Sequence, residues 1–228
     1  MSDPVPHLVN ELTPGTRKPP EEVRISQLGN GITVASLENY SHRSNVSVFV
    51  RAGSRYEIYD QMGLTHVLRN CAFLASGGRS AFRIAREMDA IGSSLTATST
   101  REHLIYSSDF LRGNLELVMD TLGTVISAPT FQPWEVKDQR PRLELDIATF
   151  EAQPNLVVFE DLHSAAFRNA LCNPLYSPKY NISKFTDQDL KAYVEEWFTG
   201  SRITIVGVGM NHDELVGHTE PNLSLIHI

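Results

Sequence analysis

The sequence predicts an α+β fold in which a mainly antiparallel sheet packs against helices. Two observations carry that reading. Apolar residues recur with strand and helix periods in the order three strands, two helices, two strands, several helices and a strand, which is not the repeating βαβ pattern of a parallel sheet. The first two strands are joined by Gly29-Asn30-Gly31, a connection too short for anything but antiparallel neighbours. With 228 residues, 41% hydrophobic and 21% charged, the chain can bury a substantial core as one or two domains. No internal repeat is visible.

Residues 1–22 hold Pro4, Pro6, Pro14, Pro19 and Pro20 without apolar periodicity and read as a flexible leader. Arg24 to Leu28 and Ile32 to Glu38 then form a hairpin, because Asn-Gly supplies the positive φ that a two-residue turn needs. Val46, Val48 and Val50 alternate with Ser47, Phe49 and Arg51 as a third strand with one buried face. From Gly63 the period changes. Leu64, Val67, Leu68, Cys71 and Ala75 fall on one helical face, leaving His66, Arg69, Asn70 and Phe73 on the adjoining one. A second helix runs from Ser80, its N-cap, to Ile91. Strands follow over Leu95 to Thr100 and Leu104 to Phe110.

Leu115, Val118, Met119, Leu122, Val125 and Ile126 form a helical stripe that stops before Pro129. A further helix starts near Pro133-Trp134 and is expected to kink at Pro141, where a backbone donor is lost. Leu156 to Arg168 is helical, Thr186 caps a helix to Trp197, and Arg202 to Val208 is the last strand.

Twenty basic against twenty-seven acidic side chains give a net charge of −7, which argues against a nucleic-acid partner. Cys71 and Cys172 form no C-x-x-C pair and fit free thiols in a reducing compartment. No apolar run approaches the ~20 residues that span a bilayer. The first 24 residues balance Arg17, Lys18 and Arg24 against Asp3, Glu11, Glu21 and Glu22, unlike an arginine-rich, acid-poor mitochondrial presequence.

The segment that bears on chemistry is His66-Val67-Leu68-Arg69-Asn70. In the zinc-peptidase pattern H-x-x-E-H, two histidines four apart on one helical face ligate zinc and the intervening glutamate activates the metal-bound water. Here Arg69 stands at the glutamate and Asn70 at the second histidine. A guanidinium cannot act as a base, and a unit charge about 5 Å from a divalent ion costs roughly 6 kcal/mol at an effective dielectric near 20. An amide oxygen is a poor zinc ligand beside imidazole, and losing the base forfeits on the order of 10²- to 10⁴-fold in rate. The expectation is therefore no catalytic residue, no metal and no cofactor. Taken alone, His66 reads as a hydrogen-bonded helical histidine.

Ala52-Gly53-Ser54-Arg55-Tyr56-Glu57 followed by Gly63-Leu64-Thr65-His66-Val67-Leu68 resembles the entry to the active-site helix of the pitrilysin (M16) metallopeptidases. The likeness continues through Gly92-Ser93-Ser94-Leu95-Thr96-Ala97, Ser127-Ala128-Pro129-Thr130-Phe131 and Val157-Val158-Phe159-Glu160-Asp161-Leu162-His163, and covers roughly residues 24 to 215. The resemblance implies that Asp146 stands where active relatives place a glutamate ligand. It also suggests that Arg69, a cation in place of a cation, pairs with that carboxylate.

Within the family, Ala35-Ser36-Leu37-Glu38-Asn39-Tyr40 and Ala165-Ala166-Phe167-Arg168-Asn169-Ala170-Leu171 are most similar to the core subunits of mitochondrial respiratory complex III. This implies a scaffold on the matrix side of the inner membrane, with the other subunits of that complex as partners in a dimeric assembly. The alternative is the non-catalytic, substrate-recognising alpha subunit of a mitochondrial processing peptidase. Larger family members have two similar halves, and this chain resembles the first. Residues 23–215 are thus expected to form the domain and 216–228 a truncated or artefactual tail, since Leu223-Ser224-Leu225-Ile226-His227-Ile228 looks like a translated library adapter.

Overall fold

A computed structural model describes residues 22–223. All but the last residue of the leader expected over 1–22, and all but the first of the adapter-like segment expected over 223–228, lie outside the described residues. The strands are β1 (Val23–Gln27), β2 (Thr33–Leu37), β3 (Arg43–Val50), β4 (Ser94–Ser99), β5 (Leu104–Leu111) and β6 (Ile203–Val208). The helices are α1 (Leu64–Asn70), α2 (Ala81–Ala90), α3 (Leu115–Ser127), α4 (Pro133–Asp138), α5 (Arg140–Glu151), α6 (Pro154–Ala166), α7 (Asp187–Trp197) and α8 (His212–Leu223).

The strands form one sheet in the order β1-β2-β6-β3-β5-β4. Every neighbouring pair is antiparallel except β2 with β6. The α+β expectation therefore stands, with one parallel pairing made where the last strand inserts between the second and third. Alternation gives the sheet two unlike faces. Val34, Ile205, Val48 and Tyr106 are buried on the helix-covered face. Ile25, Ala35, Val206, Ser47, Ser107 and Thr96 form one continuous row across all six strands on the other, and each is half-buried or exposed.

Four local expectations are corrected. The first hairpin does not close on a two-residue Asn-Gly turn. The N–H of Gly31 donates to the Leu28 carbonyl, Leu28 donates to Ile32, and only Gly31 takes positive φ, at 89°. That is a three-residue turn with glycine in its left-handed position. The active-site helix does not reach Ala75. It ends at Asn70, whose side-chain amide donates back to the His66 carbonyl at 3.1 Å, and the chain then turns so that Ser76 bridges to Arg79 and Pro129. Pro141 does not kink a continuous helix. The chain breaks into α4 and α5, and Pro141 sits in the first turn of α5, where its missing N–H leaves nothing unsatisfied. Finally, α8 was not anticipated. It runs across the expected boundary at 215, with Leu215, Thr219 and Leu223 buried at four-residue spacing. It packs on α3, where a Cβ on Gly123 would lie 2.8 Å from Asn222.

The remaining helices follow their sequence signals. The six apolar residues of the α3 stripe are all buried. Ser80 caps α2 by accepting from the Arg83 N–H, and Thr186 with Asp189 forms a capping box on α7.

Candidate functional site

α1 is held in place by a buried carboxylate from the preceding loop. Glu57, 6% exposed, accepts hydrogen bonds from the N–H of Gly63 at 2.8 Å and from the N–H and Oγ1 of Thr65, each at 2.7 Å. These satisfy N–H donors at the start of α1, which, as in any α-helix, have no acceptor within the helix. Burial pushes the Glu57 carboxyl up to about 7, against the lowering effect of the three hydrogen bonds. Asn173 ties the same loop down by donating to the carbonyls of Ser54 and Glu57. Gly63, at φ 89°, is the hinge into α1, and its Cα lies so close to Ser177 that a Cβ would stand 2.3 Å from the Ser177 Cα.

With its start fixed, α1 sends Leu64, Val67 and Leu68 into the core and turns His66, Arg69 and Asn70 toward α5. There they meet Asp146. Arg69 Nη2 donates to Asp146 Oδ2 at 2.8 Å and Asn70 Nδ2 donates to the same oxygen at 3.2 Å. His66 Nε2 lies 3.5 Å from it, too far for a formed hydrogen bond. The four residues named from the sequence are therefore brought together around one oxygen atom.

His66 is fully buried. Its Nδ1 accepts from the Ser177 N–H at 3.2 Å, which assigns the proton of the neutral ring to Nε2, facing Asp146. Nε2 has no formed hydrogen bond among the described residues. Burial, followed by the charge of Arg69, lowers the His66 pKa from 6.5 to about 4, and the opposing attraction of Asp146 does not reverse it. Tyr176 closes the site from outside. It meets His66 edge-on at 5.2 Å, stacks on Phe150 at 4.3 Å, and has the Arg69 guanidinium 5.8 Å from its ring centroid.

This arrangement does not fit zinc. A metal site gathers lone pairs around a cation. Here three nitrogens, two of them donating N–H, gather around an anionic oxygen. The carboxylate oxygen that would ligate is engaged by a guanidinium, and the side chain at the second histidine position presents an NH₂ group. Glu57, Tyr176, Phe150 and Ser177 were not anticipated as parts of this site. Tyr176 and Ser177 lie in an irregular segment with no periodicity to mark them, while Glu57 belongs to the motif leading into α1 and carries no signal of its own burial.

The model of peptidase family M16, described as insulinase, matches residues 33–179. The chain belongs to family M16. Mitochondrial cytochrome b-c1 complex subunit 2 of Homo sapiens is 41% identical over 211 residues, covering 92% of this chain and 47% of the relative. Its counterpart in Rattus norvegicus is 38% identical over 220 residues, covering 96% and 49%. The mitochondrial-processing peptidase subunit alpha of Solanum tuberosum is 31% identical over 224 residues, covering 98% and 43%. The chain thus spans about half the length of the curated relatives it matches. Within the matched residues, α1 carries His66, Arg69 and Asn70, and α5 sets Asp146 against them.

Proposed function

We propose that this chain is a non-catalytic core subunit of the cytochrome bc1 complex, respiratory complex III, which passes electrons from quinol to cytochrome c. Its fold is that of a peptidase, and its task is to scaffold the complex peripherally on the matrix side of the mitochondrial inner membrane. The observation that carries the non-catalytic reading is the Arg69–Asp146 pair at 2.8 Å, with Asn70 on the same oxygen. Two hydrogen-bond donors, one of them a cation, engage one oxygen of the carboxylate internally, and the guanidinium of Arg69 cannot take a proton from water.

The assembly reading is supported by the names of the relatives at 38–41% identity. The processing-peptidase alpha alternative is supported at 31–33%. The partners are other subunits of the complex, core protein 1 in particular, within a dimeric assembly. The surface is compatible with that role. Among the described residues no helix is long and apolar enough to cross a membrane. Yet α6 buries none of its side chains and exposes Val158, Phe159 and Leu162 by more than half.

The test is to express an epitope-tagged chain in its native mitochondria and measure two quantities. Co-purification with cytochrome b-c1 subunits, without stoichiometric zinc or chelator-sensitive cleavage of a presequence peptide, is the expected result. One bound zinc per chain with chelator-sensitive cleavage overturns the non-catalytic reading. Recovery with a processing-peptidase beta subunit instead overturns the assembly reading.

A further inference from the structure

β1 is the end strand of the sheet beside the first hairpin, and it pairs only with β2. Leu28 donates to Ile32 where the hairpin closes, and Leu37 accepts from Gly209 on the far side of β2. Along the register between those points, Arg24 and Ser26 direct their N–H and C=O groups to β2, while Val23, Ile25 and Gln27 direct theirs outward. The outward groups have no hydrogen-bond partner among the described residues.

The side chains of this edge are equally uncovered. Val23 and Ile25 are 63% and 69% exposed, next to each other on the open face of the sheet. A sheet edge is ordinarily protected by proline, lysine, a bulge or a covering element. Val23–Gln27 contains neither proline nor lysine, pairs residue for residue with β2, and is exposed at every position but Ser26.

The strand is complementary to itself. Two copies of β1 that meet antiparallel about a twofold axis, with their open faces on the same side, can centre on Arg24, Ile25 or Ser26. Centring on Arg24 sets two guanidinium groups opposite each other, and centring on Ser26 leaves the outward groups of Val23 facing a turn. Centring on Ile25 lets Val23, Ile25 and Gln27 all exchange hydrogen bonds with the second copy. It also sets Ile25 against Ile25 and Arg24 against Ser26, so that no like charges are directly opposed.

We propose that two copies of this chain associate through β1, paired antiparallel about Ile25, so that two six-stranded sheets become one. The proposal goes beyond the scaffold reading and does not require it, since both halves of the interface belong to this chain. One short strand from each copy buries less than a standard interface, so the dimer is weak and its population depends on concentration. Each copy carries a net charge of −7, so long-range repulsion opposes association and added salt favours it.

Sedimentation velocity of the 228-residue protein, at concentrations reaching the high micromolar, is expected to show a monomer–dimer equilibrium that tightens as salt is raised. Ile25→Lys sets like charges at the axis and weakens the dimer about tenfold or more. Because Ile25 is exposed, this variant keeps the fold, which circular dichroism verifies. Cross-linking in a Cys172→Ala background reads the register, with Cys71 buried and out of reach. Ile25→Cys stands opposite its own copy and forms an intermolecular disulfide under mild oxidation, whereas Val23→Cys, opposite Gln27, requires Gln27→Cys as well. A wild type that stays monomeric, a dimer that survives Ile25→Lys, or Val23→Cys cross-linking as readily as Ile25→Cys overturns the proposal.

Discussion

Asp146 Oδ2 is where Arg69 and Asn70 converge. The guanidinium and the carboxylate are 21% and 31% exposed, so their interaction is screened less than a surface pair and solvated more than a buried one. A double-mutant cycle on Arg69→Ala and Asp146→Ala, read by urea unfolding at pH 7, is expected to give a coupling of about 1–2 kcal/mol. Zero coupling would make the pair a bystander. His66 gives the site a second signature, in pH. Its folded pKa of about 4 lies below the unfolded 6.5. Between those values the unfolded chain holds a proton that the folded chain lacks, so this group makes stability rise with pH over that window and adds nothing further above it. At about 1.4 kcal/mol per pKa unit the effect is roughly 3 kcal/mol. Glu57 acts oppositely. Its folded pKa of about 7 lies above 4.5, so its contribution is present below 4.5 and is lost as pH rises through 7. The two slopes oppose each other between 4.5 and 6.5. The stability of the wild type minus that of His66→Gln is therefore the informative quantity. It should climb from pH 4 to 6.5 and stay level above, and a flat difference contradicts a buried, neutral His66.

At the scale of elements, α1 depends on one glycine. Gly63 combines φ 89° with backbone contact to Ser177, whose N–H fixes the His66 ring. Gly63→Ala incurs about 1–2 kcal/mol for the left-handed conformation and more for displacing Ser177. The expected outcome is a loss of at least about 2 kcal/mol by chemical denaturation, together with a shifted His66 resonance. An unmoved resonance would separate Gly63 from the site. That His66, Arg69, Asn70 and Asp146 converge was legible in the sequence, because the three-residue spacing of a helix and the resemblance to a ligand set place them on facing surfaces. The length of α1 was not legible. Cys71 and Ala75 keep the helical spacing, but Asn70 folds back on the His66 carbonyl and Ser76 bridges to Pro129, a long-range contact that periodicity does not encode. The break between α4 and α5 was half legible. Pro141 marked the place, yet a proline inside a helix and a proline opening one look the same until Gln139 is seen to end the first. α8 was hidden because Gly217 and Pro221 interrupt its pattern, and only burial against α3 reveals its Leu215, Thr219 and Leu223 stripe.

The whole molecule is a sheet with helices on one face, closed at its centre by β6 arriving between β2 and β3. This insertion makes the last strand and the helix after it part of the core, not an appendage. α8 contacts both β2 and α3, His212 bridges Ser36 on β2 and Ser26 on β1, and Asn30 in the first turn donates to the Leu223 carbonyl at 3.2 Å. The first hairpin and the end of α8 thus stabilise each other from opposite ends of the described residues. Leu223 tests this directly, because it lies beyond the boundary expected at 215 while its side chain is 1% exposed. Truncating a buried leucine removes its transfer energy and leaves a cavity, at a cost of about 2–5 kcal/mol. Leu223→Ala should cost about 3 kcal/mol by equilibrium unfolding, comparable with Leu215→Ala one helical face along. A cost within about 0.5 kcal/mol, the range of surface substitutions, would place Leu223 outside the folded unit and end that unit nearer the expected boundary at 215.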